Sequence, residues 1–121
     1  MAFYVRASPP AEYARWLAAQ ARVARAPSTA SQRAGLTAFL DLPCASCHTI
    51  RGTSADGRLG PDLTHLADRS TLAAGVIPND RGHLGGWIAN SQTIKPGNLM
   101  PPTPMDPSQL QGLLDYLQSL R

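Results

Sequence analysis

Near its middle the chain reads Cys44-Ala45-Ser46-Cys47-His48, and this stretch decides the fold because it predicts a group around which the rest must pack. Two cysteines three residues apart, with a histidine directly behind them, have the spacing that attaches a c-type heme. Each thiol would form a thioether with a porphyrin vinyl group, and His48 would become an axial ligand of the iron. One covalent heme would also supply much of the core that so short a domain needs.

Redox-active thiols or a structural metal site are the alternative uses of the two cysteines. A thioredoxin-like pair follows a β-strand, whereas residues 31–40 upstream read SQRAGLTAFL, which predicts a helix capped by Ser31. No alternation of strands and helices follows the motif. The flanks therefore favour heme attachment.

A second motif follows about a dozen residues later, where residues 59–63 read LGPDL. The glycine and the proline predict a tight turn beside the heme. If the Pro61 carbonyl accepts the proton of the free His48 ring nitrogen, it sets the tautomer and raises the basicity of the iron-bound nitrogen. An ordinary turn is the alternative.

The other axial ligand is expected from residues 94–102, IKPGNLMPP, which are too rich in turn residues to be helical. Met100 is the candidate, since a thioether on a loop held by prolines can be pressed against the heme. A soft sulfur donor stabilises ferrous iron. His48 and Met100 would then close the iron from both sides. Met105 is the competitor, but we expect it to pack near the following helix.

Four further side chains are weaker candidates. Trp87 carries an indole donor that could reach a heme propionate, with plain core packing as the alternative. Arg51 could also reach a propionate, but a solvated arginine is the simpler interpretation. His65 and His83 are expected to be polar surface or capping groups.

Length and composition predict one small domain with an appendage. The chain has 121 residues, 43% of them hydrophobic, and no apolar run long enough to cross a bilayer. Residues 31–121 carry the heme motifs and end in a predicted helix over 107–120. Gly35 and Phe39 of the first helix are expected to cross closely against this last helix. Its apolar stripe is Leu110, Leu113, Leu114 and Leu117.

Residues 1–30 are predicted to be a separate segment. Residues 1–7 alternate like a strand, Ser8 is expected to cap a helix, and residues 26–29 would form a linker. The apolar face of this helix would comprise Tyr13, Trp16, Leu17 and Val23. Thioether attachment takes place outside the cytoplasmic membrane, and residues 1–30 do not resemble a leader peptide. We therefore expect the chain to be a piece of a longer precursor.

The net charge of +3 is located entirely in that segment. Residues 1–30 contain four arginines and one glutamate, whereas residues 31–121 contain seven basic and seven acidic side chains. With one lysine in the chain, docking through a ring of lysines is excluded. Nucleic acid is not an expected partner. We expect docking that is largely apolar and weakly dependent on salt.

Taken together, these motifs resemble the C-terminal part of cytochrome c oxidase subunit II in caa3-type oxidases, whose subunit carries a fused cytochrome c. Residues 3–20 are similar to the last strand of the copper-binding cupredoxin domain and the helix after it. The heme-domain similarity rests on CASCHTIRGT at 44–53, GPDLTHLADR at 60–69, LAAGVIPND at 72–80 and IKPGNLMPP at 94–102. The resemblance implies an all-α class I cytochrome c fold, heme on Cys44 and Cys47, and iron between His48 and Met100.

The resemblance also implies a function. The domain, not an enzyme by itself, would take one electron from a quinol–cytochrome c reductase or a small cytochrome and pass it to the copper centre of its own subunit. It would lie on the periplasmic face of a bacterial inner membrane, within a membrane-anchored complex. The cysteines, histidines and acidic residue of the family's copper site are absent. Met1 lies where that site's methionine would fall or is an initiator methionine, and alone it could not hold copper. The alternatives are a freestanding periplasmic cytochrome c, or a heme enzyme or gas sensor in which Met100 dissociates.

Overall fold

The computed structural model describes residues 5–121. The helices are α1 (Pro10–Gln20), α2 (Ala30–Asp41), α3 (Cys44–Cys47), α4 (Arg81–Ile94) and α5 (Pro107–Leu117). A short 3-10 helix spans Leu66–Asp68, and the antiparallel strands β1 (Thr71–Leu72) and β2 (Ile77–Pro78) form a small sheet. This mostly helical architecture confirms the predicted all-α class. Over residues 5–121, the helices are too short or too polar to span a membrane.

The helix that leads into the cysteine motif is capped by Thr29. The Thr29 hydroxyl accepts a hydrogen bond from Gln32 N at 3.1 Å, and Gln32 Oε1 accepts one from Thr29 N at 3.3 Å. This reciprocal pair satisfies N–H groups that have no partner within the helix. The prediction that Ser31 caps the helix is therefore wrong. Ser31 lies inside α2 because Thr29, with a glutamine three residues later, forms the better cap.

Helices α2 and α5 cross with their backbones in contact at two glycines. A Cβ atom on Gly35 would lie 1.9 Å from the carbonyl oxygen of Gly112, so no larger residue fits there. Phe39 and Tyr116 flank the crossing and are only 2% and 1% exposed. The predicted close approach of Gly35 and Phe39 to the last helix is confirmed. Since only two residues separate α2 from α3, the crossing also positions the cysteine motif.

The core is one cluster of buried apolar side chains, drawn from α2, α4, α5 with the turn after it, and the long segment between α3 and α4. Its members are Ala38, Phe39, Ile50, Ala55, Leu63, Leu66, Leu72, Leu84, Ile88, Leu113, Leu114, Tyr116, Leu117 and Leu120. The predicted stripe on the last helix is confirmed, with Leu110 only half-buried against this cluster.

The last helix ends earlier than predicted, at Leu117 rather than Leu120. Ser119 N donates to Tyr116 O at 2.9 Å and Leu120 N to Leu117 O at 3.3 Å, so the final turn is tighter than an α-helix. This turn buries Leu120 completely. The Leu120 carbonyl then accepts a hydrogen bond from Ala67 N at 2.9 Å, which joins the end of the chain to the central segment.

Asp115 connects three helices. Its carboxylate on α5 accepts a hydrogen bond from the Ser31 hydroxyl of α2, and Arg81 at the start of α4 approaches it at 2.7 Å. The Ser31 hydrogen bond and the Arg81 guanidinium lower the pKa of Asp115. The carboxylate therefore stays ionised at neutral pH and braces the helices outside the apolar core.

Helix α4 is broken near its C-terminal end. Asn90 has extended backbone angles (φ −158°, ψ 89°), and its side-chain oxygen accepts a hydrogen bond from Gln92 N at 3.1 Å. Asn90 thus caps a new short turn inside the helix. This break sets the direction of Ser91 and Gln92 relative to the rest of α4.

The N-terminal segment differs from its prediction in three respects. Residues 1–4 lie outside the described residues, and residues 5–9 form no strand. The N-cap of α1 is Pro9 with no side-chain hydrogen bond, so Ser8 is not a cap. The helix ends at Gln20, which places Val23 beyond it. A proline at N1 starts the helix without a polar cap because it has no N–H to satisfy.

Helix α1 buries none of its residues, and Tyr13, Trp16 and Leu17 remain about half exposed, at 54%, 54% and 51%. The segment is hydrogen-bonded to the heme-motif region at the end of this helix and just beyond it. Arg51 Nη2 donates to the Gln20 carbonyl at 2.7 Å, and Ala24 N donates to the Arg51 carbonyl at 2.8 Å. Residues 20–24 therefore lie against the segment that follows the cysteine motif.

Gly35→Ala tests the crossing of α2 and α5. The new methyl group would overlap the Gly112 backbone, and we expect the free energy of unfolding to fall by about 3 kcal/mol or more. Gly86→Ala on α4 is the matched control, since its Cβ would meet nothing closer than 3.7 Å. We expect that control to be neutral or more stable by up to about 1 kcal/mol. Chemical denaturation measures both, and equal stability of the two variants would contradict a close crossing.

Candidate heme-binding site

The cysteine motif folds as one short turn of helix. Helix α3 places Cys44 and Cys47 on the same side of this turn, and His48 N donates to the Cys44 carbonyl at 2.9 Å. His48 itself leaves the helix with extended backbone angles (φ −110°, ψ 142°). Both cysteines are free and half-buried. The thiols and the imidazole are thus available to a ligand beside the core.

The His48 ring is oriented by the second motif. Nδ1 of His48 lies 2.8 Å from the Pro61 carbonyl oxygen, the contact that the sequence analysis predicted. A carbonyl oxygen can only accept, so this contact requires the proton on Nδ1. The other ring nitrogen, Nε2, then carries a free lone pair. The ring is held in the tautomer that a metal ligand needs.

Two glycines bring this segment against the cysteine motif. A Cβ atom on Gly57 would lie 2.5–2.6 Å from backbone atoms of Ser46 and Cys47, and one on Gly60 would lie 2.5 Å from His48 Cε1. Gly60 N donates to the Cys47 carbonyl at 2.7 Å. The sequence predicted only the turn. The close approach of this segment to the cysteine motif was not predicted, and the two glycines are the only sequence feature that could have indicated it.

The alternative of redox-active thiols does not fit this environment. Residues 5–121 contain only the paired strands β1 and β2, both after the motif, so no β-strand precedes α3 in the described chain. Burial raises the pKa of the Cys44 thiol, and the neighbouring Cys47 also raises it. Thiol–disulfide catalysts need the opposite shift, because the thiolate is the attacking species.

The two methionines near the C-terminus lie in different surroundings. Met105 packs against the hydrophobic core, as expected from the sequence. Met100 lies on the loop between α4 and α5, half-buried and outside the core cluster, with its backbone N donating to Asn98 Oδ1 at 2.9 Å. Of the two side chains, that of Met105 is the one that packs against the core cluster.

Trp87 and His83 both lie on α4. Trp87 is half-buried and is not a member of the core cluster, which gives no support to core packing as its role. His83 is a helix-start residue, as expected: its backbone N donates to Asp80 Oδ1 at 2.9 Å and its Nδ1 lies 2.6 Å from Asp80 Oδ2.

Arg51 is not a freely solvated arginine. Its Nε lies 3.2 Å from Asp62 Oδ2, and its Nη2 donates to the Gln20 carbonyl. Burial alone would raise the pKa of Asp62, but hydrogen bonds from Thr64 and the Arg51 charge lower it below the usual value. Arg51 thus joins α1 to the segment that orients His48.

His65 departs from the expected surface role. It is half-buried, and its Nε2 is buried without a hydrogen-bond partner among the described residues. It borders a cavity of about 300 Å³ beneath α1. The cavity is lined by Trp16, Gln20, Arg51, Asp62, His65, Asp68 and Arg69. Of the candidate heme contacts, only the weaker candidate Arg51 lines it.

Comparison with known proteins agrees with this geometry. The sequence model of the family described as Cytochrome c matches residues 32–121, most of the chain and all of the predicted heme segment but its first residue. The chain belongs to the cytochrome c family. Its helices, with a sheet of two short strands, are consistent with the class I cytochrome c fold.

Curated relatives named cytochrome c oxidase subunit 2 are similar to most of the chain. The protein from Alkalihalophilus pseudofirmus is 31% identical over 111 residues, which cover 91% of this chain and 32% of that protein. Those from Bacillus sp. (strain PS3) and Bacillus subtilis are 29% and 30% identical over 69% of the chain, and cover 25% and 24% of their lengths. The chain thus spans about a third or less of these relatives, consistent with a cytochrome c domain fused to a subunit 2.

Membership of the family establishes the cofactor as covalent heme c and the activity as electron transfer. The residues present fit this group. A pair of half-buried thiols and an imidazole with its Nε2 lone pair free form the donor set that covalent attachment and axial ligation require.

Gly60→Ala tests how the His48 ring is oriented. The added methyl group would lie within 2.5 Å of the ring, so we expect the ring to move away from Pro61. In the heme-loaded protein, the His48 Nδ1 proton should then exchange with solvent about tenfold faster or more, as followed by NMR. Gly82→Ala, with its nearest neighbour at 3.5 Å, is the control. An unchanged exchange rate in Gly60→Ala would show that Gly60 does not set the ring position.

Proposed function

We propose that residues 31–121 form a one-electron carrier whose heme iron is ligated by His48 and Met100, with Cys44 and Cys47 as the covalent attachments. The observation that carries this proposal is the 2.8 Å contact between His48 Nδ1 and the Pro61 carbonyl, which leaves Nε2 free for a metal. The different surroundings of Met100 and Met105 support the second ligand. Trp87, half-buried on α4, is the proposed hydrogen-bond donor to a heme propionate.

The proposed ligands hold the heme iron, and the transfer of an electron makes and breaks no covalent bond. Heme c supplies an iron that cycles between the ferrous and ferric states. His48, held by Pro61, and Met100, held by its loop, would keep their positions in both states. Unchanged ligation lowers the reorganisation that accompanies each transfer and excludes oxygen from the metal. The domain by itself is therefore a carrier and not an enzyme.

We further propose that the domain is part of subunit II of a terminal oxidase. It would receive electrons from a quinol–cytochrome c reductase or a small cytochrome c and pass them to the copper centre of its own subunit. The relatives named cytochrome c oxidase subunit 2 support this context. Residues 1–30 would be the end of the copper-binding domain with a connecting helix and linker. The complex would face the periplasmic side of a bacterial inner membrane.

Two other functions are less well supported. A freestanding periplasmic cytochrome c would share the heme site but would give no role to α1 and the exposed side chains of Tyr13, Trp16 and Leu17. A heme enzyme or gas sensor needs a sixth ligand that leaves readily. The backbone of Met100 is hydrogen-bonded at both its N–H and its carbonyl, which favours fixed ligation instead.

Met100→Ala tests the ligand set. We expect the ferric protein to lose the weak long-wavelength band of sulfur-ligated heme, and the reduction potential to fall by about 0.1 V or more, because sulfur favours ferrous iron. Visible spectra and a redox titration measure these changes. Carbon monoxide should bind rapidly to the ferrous variant and slowly to the parent.

Met105→Ala is the matched control. It removes a methionine side chain that packs against the core. We therefore expect the variant to keep the long-wavelength band and its free energy of unfolding to fall by about 1–2 kcal/mol. If the band disappears in Met105→Ala and persists in Met100→Ala, then Met105 is the iron ligand and Met100 is not. A parent protein that lacks the band and binds carbon monoxide rapidly would favour the open-site enzyme or sensor.

Salt dependence tests the predicted docking. Because residues 31–121 have balanced formal charges, we expect the rate of electron entry from a small cytochrome c to change less than about threefold when ionic strength rises from about 0.01 M to about 0.15 M. Stopped-flow mixing of reduced donor with the oxidised domain measures the rate. A decrease of tenfold or more would indicate docking through charged patches instead.

A further inference from the structure

The loop that carries Met100 is held by side chains at the broken end of α4. Gly97 takes the left-handed conformation (φ +81°), which turns the chain back toward α4. Asn98 then closes the turn from within: its Oδ1 accepts from Met100 N at 2.9 Å, and its Nδ2 donates to the Lys95 carbonyl at 2.7 Å. The loop thus has a defined backbone path.

One glutamine side chain contacts three backbone groups of this loop. Gln92 Oε1 accepts a hydrogen bond from Gly97 N at 3.1 Å. Gln92 Nε2 donates to the Asn98 carbonyl at 2.8 Å and to the Met100 carbonyl at 3.1 Å. The amide has two donor hydrogens and one oxygen, so both hydrogens and the oxygen are used. The opposite orientation would set its oxygen against two carbonyl oxygens, so this network fixes the amide orientation.

The Met100 carbonyl has a second donor. The Ser91 hydroxyl lies 2.8 Å from it, in a residue that is 1% exposed. The single Ser91 proton is shared between this carbonyl and Asn98 Oδ1, which lies 3.0 Å from the hydroxyl. The Gln92 amide donates to the same carbonyl, while Asn98 Oδ1 accepts from the Met100 N–H. The backbone of Met100 is therefore anchored at both of its polar groups.

The anchor depends on the break in α4. A continuous helix would direct the side chains of residues 91 and 92 by its own 3.6-residue period. At Asn90 the backbone becomes extended and a new turn begins, with Gln92 N bonded to the Asn90 side chain. Ser91 and Gln92 then both contact the loop. The break in α4 thus allows Ser91 and Gln92 to hold the backbone of Met100.

We propose that Gln92 is a positioning residue for the sixth ligand: its amide holds the backbone of Met100 and so keeps the thioether on the iron. This inference rests on the proposed ligation by Met100. Loss of the amide would remove a hydrogen bond from each of three backbone groups of the loop at once. Met100 would then leave the iron more often, and a small exogenous ligand could replace it more easily.

The test is imidazole binding to the ferric, heme-loaded protein. In Gln92→Leu, which has a similar size but no hydrogen-bonding groups, we expect the affinity for imidazole to rise about tenfold or more over the parent. The long-wavelength sulfur band should vanish at correspondingly lower imidazole concentrations. Gln20→Leu makes the same chemical change in α1, away from the loop, and should bind imidazole as the parent does.

The outcomes separate this inference from the ligand assignment. If the parent shows the sulfur band, Met100→Ala loses it, and Gln92→Leu binds imidazole as the parent does, then Met100 is the ligand and Gln92 does not position it. A parent without the band overturns ligation by Met100 and this inference with it. Should Gln92→Leu fail to fold with heme, Gln92→Glu keeps the size and the oxygen that accepts from Gly97 N but removes both donors to the Asn98 and Met100 carbonyls. In that case an imidazole affinity within about twofold of the parent would overturn the anchor.

Discussion

The backbone contact between Gly35 and Gly112 is the constraint on which the rest of the structure depends. It fixes α2 against α5, and because α3 follows α2 after two residues, it also fixes the position of the cysteine motif. Both helices supply core side chains on either side of the crossing, so a wider separation would open the core as well as move the motif. The position of the cysteine motif therefore depends on the crossing of α2 and α5, although neither helix contains a proposed heme ligand.

The axial ligand candidates are supported in the same way, although they lie in different parts of the chain. The His48 ring is held by a backbone carbonyl, that of Pro61, while the Met100 backbone is held by the side chains of Ser91, Gln92 and Asn98. In both cases hydrogen bonds from outside the ligand restrict its movement. Such support suits a carrier, because electron transfer is fastest when the surroundings of the iron change little between oxidation states.

The N-terminal segment differs from residues 31–121 in burial and in charge. Helix α1 buries none of its side chains and contributes nothing to the core cluster. At its C-terminal end the Gln20 carbonyl accepts a hydrogen bond from Arg51, and beyond the helix Ala24 N donates to the Arg51 carbonyl. The net charge of +3 in residues 1–30 contrasts with the balanced charge of residues 31–121. These properties fit a connector better than a part of the heme domain.

The heme site, the helical class and the apolar stripe of α5 follow from local patterns: spacing in CASCH, period in the leucines, and turn residues around Pro61 and Met100. These patterns act over a few residues, so they can be read without the fold. Gly112, the break at Asn90 and the amide of Gln92 could not be predicted, because each acquires its role from a partner elsewhere in space. The N-cap at Thr29 was missed for a smaller reason, since two hydroxyl residues compete there and only the helix geometry selects one. The support of His48 by Pro61 could be predicted from the turn motif, whereas only the tertiary structure shows how Met100 is held, because its contacts with Ser91 and Gln92 depend on the break in α4.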